Sequence, residues 1–339
     1  MKKYNVAVIG VGVVGIEMLR VLRRRNFPAG ELWVFARSAR EIDVDGQKYS
    51  VQAISPEGFS GVDIALFAGT EGEKGAAVTY AKDAIKRGAV VIDNGADFRM
   101  DPKVPLVVPE VNAGDVKGQK GIIANPNCST IQMVVALWPI YKKVGIKRVI
   151  VTTFQASSGA GKGAVDQLKE ENIRIAAGGY QNVQVNLENK AMPQQLAYNV
   201  FPHIGSFSDD DYTTEEWKMV HETHKIMHDP KIKISATTVR VPVRTGHAEA
   251  IYIETGKPLE PEKAKEILSK APGIVVVDEP KNNLYPMPKD AEGKDEVFVG
   301  RIRKDPSVKN GLWLWVVADN LRKGAATNAI QIAECVISN

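Results

Sequence analysis

The sequence predicts an α/β protein of two domains. The first is a Rossmann-type doubly wound parallel sheet. The second is an α+β domain with a mostly antiparallel or mixed sheet. Three observations carry this reading. Tyr4 to Ile9 is an unbroken apolar run, the pattern of a strand buried on both faces. Apolar strands then alternate with helical stretches as far as residue 127, as a parallel sheet with crossover helices requires. At 339 residues the chain exceeds a single core of ordinary size. The boundaries fall at residues 1–127 with a returning C-terminal helix 322–339, and at residues 128–321.

The first strand runs into Gly10-Val11-Gly12-Val13-Val14-Gly15 and then a helix through Glu17 to Leu22. Between strand and helix, such glycines permit a tight turn and let backbone approach a pyrophosphate at the helix N-terminus. Gly10, Gly12, Val13, Val14 and Gly15 are therefore candidate cofactor contacts, the alternative being a plain strand–helix turn. The next strand, Glu31 to Ala36, ends at Arg37-Ser38-Ala39-Arg40 where a 2′-hydroxyl binder carries an acid. Guanidinium and hydroxyl groups suit a 2′-phosphate, which favours NADP, with Arg37 and Ser38 as contacts. A solvated basic loop is the other reading.

Strands at Ile64 to Ala68 and Val90 to Asp93 flank a helix near Gly75 to Lys86. Gly69-Thr70 and Asn94-Gly95 follow those strands, at the carboxyl edge where ligands bind in such sheets. Arg99 comes soon after; alone it reads as a surface ion pair.

Gly121 to Ala124 is a short strand, and Ile131 to Val144 a helix with an apolar stripe. Asn125-Pro126-Asn127-Cys128-Ser129-Thr130 joins them and sets Cys128 at the helix start. Free N–H groups and the helix dipole favour a thiolate there. The competing reading is a small buried cysteine.

The strand Val149 to Phe154 enters Gln155-Ala156-Ser157-Ser158-Gly159-Ala160-Gly161-Lys162-Gly163, ahead of a helix at Ala164 to Glu171. No GxxxxGK[ST] spacing fits this loop. It reads as backbone approaching a small anion or cofactor, or as a flexible turn. Gly178 to Phe207 is rich in Asn and Gln and reads as an excursion or subunit-contact region.

Asp209 to His228 has helical spacing, with Trp217, Val220, His224 and Met227 on one face and Glu215, Lys218, Glu222 and Lys225 on the other. The charged face reads as mutual pairing on a solvated surface. His221, His224 and His228 lack a completing ligand, so no metal is expected. Ile232 to Val243 alternates as a strand, with Arg240 opposite Val239, Val241 and Val243. His247 follows Gly246 in a turn before the strand Ala248 to Glu254, a place for a structural or a catalytic group. A helix at Pro261 to Lys270, a loop from Pro280 to Asp295, strands at Val297 to Ile302 and Leu312 to Ala318, and a helix at Ala325 to Ile337 complete the chain.

Composition excludes several classes. The net charge of +4 is small, and the basic cluster Arg20 with Arg23-Arg24-Arg25 ends a helix rather than forming a nucleic-acid patch. The two cysteines, Cys128 and Cys335, form no CxxC site or disulfide framework, which suggests a reducing compartment. No run reaches membrane-spanning length and no cleavable signal opens the chain, so a cytoplasmic location is expected.

Together the residues resemble the aspartate-β-semialdehyde dehydrogenase family over nearly the whole chain. The matches are Val108-Pro109-Glu110-Val111-Asn112, Asn125 to Thr130, Phe154 to Gly161, Arg240-Val241-Pro242-Val243 through Gly246-His247, and Asp319-Asn320-Leu321-Arg322-Lys323-Gly324-Ala325-Ala326. The resemblance implies Cys128 as acyl-enzyme nucleophile, His247 as acid/base and Gln155 as orienting group. It implies Arg240 on the substrate carboxylate, Glu215 on its ammonium, and Asn127 on substrate or phosphate. Arg99 and Lys218 would bind phosphate, and Gly69, Ser158, Gly159, Gly161 and Asn320 would join the cofactor contacts. The implied reaction is NADPH-dependent reductive dephosphorylation of L-4-aspartyl phosphate to L-aspartate 4-semialdehyde. It serves lysine, threonine, methionine and diaminopimelate synthesis. A homodimer through the second, catalytic domain is also implied.

The chain departs from the family at the glycine loop, one residue shorter than GxTGxVG, and at Phe67-Ala68-Gly69-Thr70-Glu71, which replaces a Ser-Ala-Gly-Gly turn. The rival readings are N-acetyl-γ-glutamyl-phosphate reductase, an acyl-CoA reductase such as malonyl-CoA reductase, and an inactive homologue.

Overall fold

The computed structural model describes residues 2–69, 75–178 and 191–338. Thr70, Glu71 and residues 179–190 of the Gly178–Phe207 stretch lie outside the described residues. In chain order the elements are β1 (Tyr4–Ile9), α1 (Val13–Arg24), β2 (Ala29–Ala36), β3 (Arg40–Val44), β4 (Gln47–Ala53), β5 (Ile64–Phe67), α2 (Ala76–Lys86), β6 (Val90–Asp93), α3 (Pro109–Asn112) and β7 (Ile122–Ala124). There follow α4 (Cys128–Val144), β8 (Ile146–Gln155), α5 (Lys162–Gly178), α6 (Thr214–Met227), β9 (Lys233–Arg240), β10 (His247–Thr255), α7 (Pro261–Ser269) and β11 (Ile274–Val276). The chain ends with α8 (Pro288–Ala291), β12 (Val297–Lys304), β13 (Gly311–Ala318) and α9 (Thr327–Ser338).

Two compact units result: Met1–Asn127 with Lys225–Met227 and Gly324–Asn339, and Cys128–His224 with His228–Lys323. In the first unit the sheet order is β3-β4-β2-β1-β5-β6-β7, parallel except for the β3–β4 hairpin. Leaving out β3, this is the 3-2-1-4-5-6 order of a dinucleotide-binding sheet. The strands are short apolar runs because both faces are covered. Val6 and Val8 face a core shared with Met18, Leu22, Ile330 and Ala333; Ala7 and Ile9 face one shared with Phe59, Phe67 and Ala81. Two glycine side chains are excluded at the strand order's reversal between β1 and β5. A Cβ on Gly15 would lie 1.8 Å from the Gly10 carbonyl oxygen, and Gly10 itself has φ +101°.

The hairpin β3–β4 was not expected from the sequence. Its turn, Asp45-Gly46, has positive φ at both residues and suits a right-twisted pair.

The second unit holds a mixed sheet, β11-β12-β13-β10-β8-β9, with parallel pairs only at its two edges, β11–β12 and β8–β9. Helix α4 packs against β8, β10, β12, β13 and α7. Helix α6 is shorter than expected. Thr213 stops it with a capping box to Glu216, and His228 ends it in the left-handed conformation. Strand β9 stops at Arg240 rather than Val243: Pro242 has no N–H to give to a ladder.

Gly15→Ala is expected to destabilise the protein by the upper end of about 1–3 kcal/mol or more, since the contact is with backbone that cannot rotate away. Denaturant unfolding measures this; a loss under about 0.5 kcal/mol would contradict the crowding.

Candidate active site

In the second unit Cys128 is the first residue of α4 and is partly exposed. No acidic side chain lies in the helix's first turn to compete for its N–H groups. Across the sheet below, backbone register builds a polar row. Strands β8 and β9 align Gln155 with Arg240, and β8 and β10 align Phe154 with Ala248. One residue further, His247 stands beside Gln155. Neighbours in register point to the same face. Arg240, Gln155 and His247 thus form one row, all buried. His247 is the first residue of β10, not a turn residue as the sequence suggested.

Each member is oriented by named partners. The Ala156 N–H donates to His247 Nδ1 at 3.0 Å, and the Ala156 carbonyl accepts from Arg240 Nη1 at 2.5 Å. One residue's backbone thus fixes both side chains. An N–H aimed at Nδ1 places the proton of the neutral imidazole on Nε2, which has no partner among the described residues. Burial first, and the Arg240 charge second, hold His247 well below the usual histidine range. Arg240 is itself lowered by burial, opposed by the negative charges of Glu215 and Cys128. Its Nε also lacks a partner among the described residues.

Gln155 donates to Glu215 Oε1 at 3.1 Å, and Thr153 donates to Gln155 Oε1 at 2.9 Å. Lys218 reaches the other Glu215 oxygen at 3.4 Å, one turn along α6. The charged face of α6 is therefore not the solvated surface its pattern suggested: Glu215 and Glu222 are buried. Gly159 supplies space, since a Cβ there would lie 3.2 Å from His247 Nε2 and 3.5 Å from Arg240 Nη1. Ser158 and Asn320 bond each other, and Asn320 Oδ1 also accepts from the Gly246 N–H at 2.9 Å, which fixes the turn before His247. Gly161, with φ +85°, precedes α5.

The first unit carries the remaining candidates. Gly12 caps α1 with no side-chain bond and no acid in the first turn, and its Cβ position is open. Val13 and Val14 begin that helix, with their N–H groups at its positive end. Arg37 and Ser38 are exposed just beyond β2. Gly69 follows β5 with φ +84° against Asn94. Arg99 is no surface ion pair: it is buried and donates to the carbonyls of Asn125 at 3.0 Å and Asn94 at 2.7 Å. Asn127 is buried, directly before Cys128. Among the described residues no group of three His, Cys, Asp or Glu is arranged to hold a metal. His221 instead stacks on Trp217, and His224 Nε2 donates to the Ile232 carbonyl at 2.7 Å.

Sequence reasoning missed Gln132 and Glu249. Both are fully buried polar residues, Gln132 one helical turn after Cys128 and Glu249 two strand residues after His247. Those spacings were the available signal.

The depressed His247 pKa has a signed consequence. Below about pH 6.5 the unfolded chain binds a proton that native His247 does not, so stability falls as pH drops through that value. His247→Asn is expected to flatten this slope by one proton. Unfolding titrations from pH 5 to 8 measure it; parallel curves for both proteins would refute it.

Models of two families match the chain: "Semialdehyde dehydrogenase, NAD binding domain" over residues 5–119 and "Semialdehyde dehydrogenase, dimerisation domain" over residues 137–323. An aspartate-semialdehyde dehydrogenase of Aquifex aeolicus is 55% identical, with 98% of each chain covered. One of Bacillus subtilis is 49% identical, covering 97% of this chain and 96% of the relative. Among solved structures, aspartate semialdehyde dehydrogenase II of Vibrio cholerae complexed with ASA aligns at TM-score 0.92 and 45% identity, over 100% of this chain and 99% of that one. The Candida albicans enzyme with NADP aligns at TM-score 0.74 and 26% identity, over 98% and 99%.

Proposed function

The chain belongs to the aspartate-semialdehyde dehydrogenase family, and on that premise we propose how its residues divide the interconversion of L-4-aspartyl phosphate and L-aspartate 4-semialdehyde. The observation that carries the proposal is the convergence of Arg240, Gln155 and His247 on one row of the sheet that α4, beginning at Cys128, packs against. It is an oxidoreductase of amino-acid biosynthesis, feeding the lysine, threonine, methionine and diaminopimelate routes.

In the biosynthetic direction the Cys128 thiolate attacks the acyl carbon, phosphate leaves, and a thioester remains on the sulfur. Arg240 holds the substrate carboxylate as a two-pronged donor, and Glu215, anchored by Gln155, receives the ammonium. That carboxylate favours a free amino acid over an N-acylated glutamyl phosphate. Asn127 contacts substrate, and Arg99 and Lys218 take the phosphate. His247 presents its Nε2 proton to the oxygen on which charge develops and is the acid/base group of the cycle. The nicotinamide cofactor, when bound, supplies the hydride.

The open glycine turn and uncapped α1 N-terminus fit a pyrophosphate, held by Gly10, Gly12, Val13, Val14 and Gly15. Arg37 and Ser38 would receive the 2′-phosphate of NADP, and Gly69, Ser158, Gly159, Gly161 and Asn320 would be further cofactor contacts. Residues 1–127 with 322–339 form the NADP-binding domain, and 128–321 the catalytic and dimerisation domain of a cytoplasmic homodimer. Among the described residues no helix is long and apolar enough to cross a membrane.

The purified protein is expected to reduce NADP with L-aspartate 4-semialdehyde only when phosphate or arsenate is present, and Cys128→Ala to abolish this while cofactor affinity stays within about twofold. Equal rates without either anion would point to a different reaction. Arg37→Ala is expected to weaken NADP by about tenfold and NAD by less than about twofold, from loss of a charge-assisted contact. Titration with both cofactors tests this, and equal losses would remove Arg37 from the 2′-phosphate.

A further inference from the structure

Behind the row Arg240–Gln155–His247 lies a second polar row on the same sheet face. Strand register aligns Thr238 with Thr153, and Thr153 with Glu249. All three are fully buried. Thr153 is engaged with Gln155 and Thr238 lies beside Thr213, but Glu249 stands apart. Neither of its oxygens has a hydrogen-bond partner among the described residues. Gln132, on the helix that covers this sheet, is in the same condition: both its Nε2 and its Oε1 are without partners. The two are neighbours, since Gln132 acts on the Glu249 carboxyl, favouring its ionised form. Burial outweighs that influence and holds the carboxyl well above the usual carboxylate range.

The four orphaned atoms fit one arrangement. A neutral carboxylic acid donates its O–H to the amide oxygen and accepts an amide N–H on its other oxygen, so all four are satisfied in one ring. An ionised Glu249 leaves the amide oxygen facing a negative charge, and among the described residues the groups acting on the carboxylate include no cation. The position of the pair matters as much as its chemistry. Gln132 lies at i+4 from Cys128 on α4, and Glu249 at i+2 from His247 on β10, so each shares its element's face with a reacting group.

We propose that Glu249, carrying a proton, and Gln132 form a reciprocal acid–amide pair that pins α4 to β10 and thereby sets the Cys128 sulfur against His247. Glu249 is a positioning residue, one turn and one pleat removed from the chemistry. This rests on the assignment of Cys128 and His247 as the reacting pair. Its stability signature does not.

The native protein holds a proton on Glu249 that the unfolded chain releases above about pH 4.5, so its contribution is complete below that value and is lost as pH rises. Glu249→Gln keeps the ring, its amide N–H donating to the Gln132 oxygen and its carbonyl accepting from the Gln132 N–H, and needs no proton. Its stability relative to the natural protein should rise with pH between 5 and 8, about tenfold in the folding equilibrium constant per pH unit while one proton is at stake. Glu249→Leu should lower kcat by about tenfold or more with KM within about twofold, and Glu249→Gln should restore kcat to within about threefold. The pH midpoint of Cys128 alkylation by iodoacetamide should be the same in Glu249→Gln as in the natural protein. If Glu249→Leu does not fold, Gln132→Met removes the pair from the other side and gives the same kcat reading. Stability curves that stay parallel across pH, a Glu249→Gln variant as slow as Glu249→Leu, or an alkylation midpoint lowered by about one pH unit would each overturn the proposal. Turnover by Cys128→Ala would instead overturn the mechanism, leaving the stability result standing.

Discussion

Backbone register across β9, β8 and β10 is the constraint from which the second unit's chemistry follows. Strand pairing fixes side chains in rows at the inter-strand spacing, and a slip of one residue would turn every member to the other face. Arg240 and His247 sit on strands joined by a short turn and Gln155 lies 85 residues before Arg240, yet the ladder aligns all three without any contact between their side chains being needed. Both Arg240 and His247 are met by the backbone of Ala156, just past the end of β8, which gives its N–H to His247 and accepts from Arg240 on its carbonyl. A loop peptide oriented by the strand it leaves is a firmer device than two flexible side chains oriented by each other.

Burial then sets the charge states. His247 is fully enclosed beside a guanidinium, so the neutral imidazole is the resting form. Arg240 keeps its charge in the same surroundings because Glu215 and the Cys128 sulfur lie on the opposite side of the balance. The row is thus a graded set: a cation, a neutral amide and a neutral ring, with the acid Glu215 held by that amide. Polar atoms at Arg240 Nε and His247 Nε2 remain unmatched among the described residues, and such groups cost free energy unless a ligand meets them. A site that holds unsatisfied donors in place is prepared for a charged substrate at a cost in stability.

Much of this was legible in sequence, for identifiable reasons. The parallel sheet announced itself through Tyr4–Ile9, Ile64–Phe67 and Val90–Asp93, because strands covered on both faces must be apolar throughout. The glycine turn was legible because Gly15 has no alternative. The β3–β4 hairpin was missed although Val44-Asp45-Gly46-Gln47 carries a two-residue turn signal between alternating residues. The charged face of α6 misled because helical periodicity separates charged from apolar residues but does not say which face turns inward. Glu215 and Glu222 point into a polar interior, a case that composition alone assigns to solvent.

Glu249 shows where sequence reading ends. On strand β10 every residue from His247 to Ile253 except Ala250 is buried, so a glutamate there breaks the pattern expected of a central strand. An isolated glutamate in a β-strand reads as the solvent-facing half of an alternation, and Ala250 and Glu254 do alternate toward partial exposure. Only the register against β8 and β13, with α4 covering the sheet, reveals that the carboxyl is fully buried. Its spacing of two residues from His247 then acquires meaning. The residues that react and the residues that hold them lie in successive rows of one sheet face, and the same alternation that carries His247 to the site carries Glu249 to the layer beneath it.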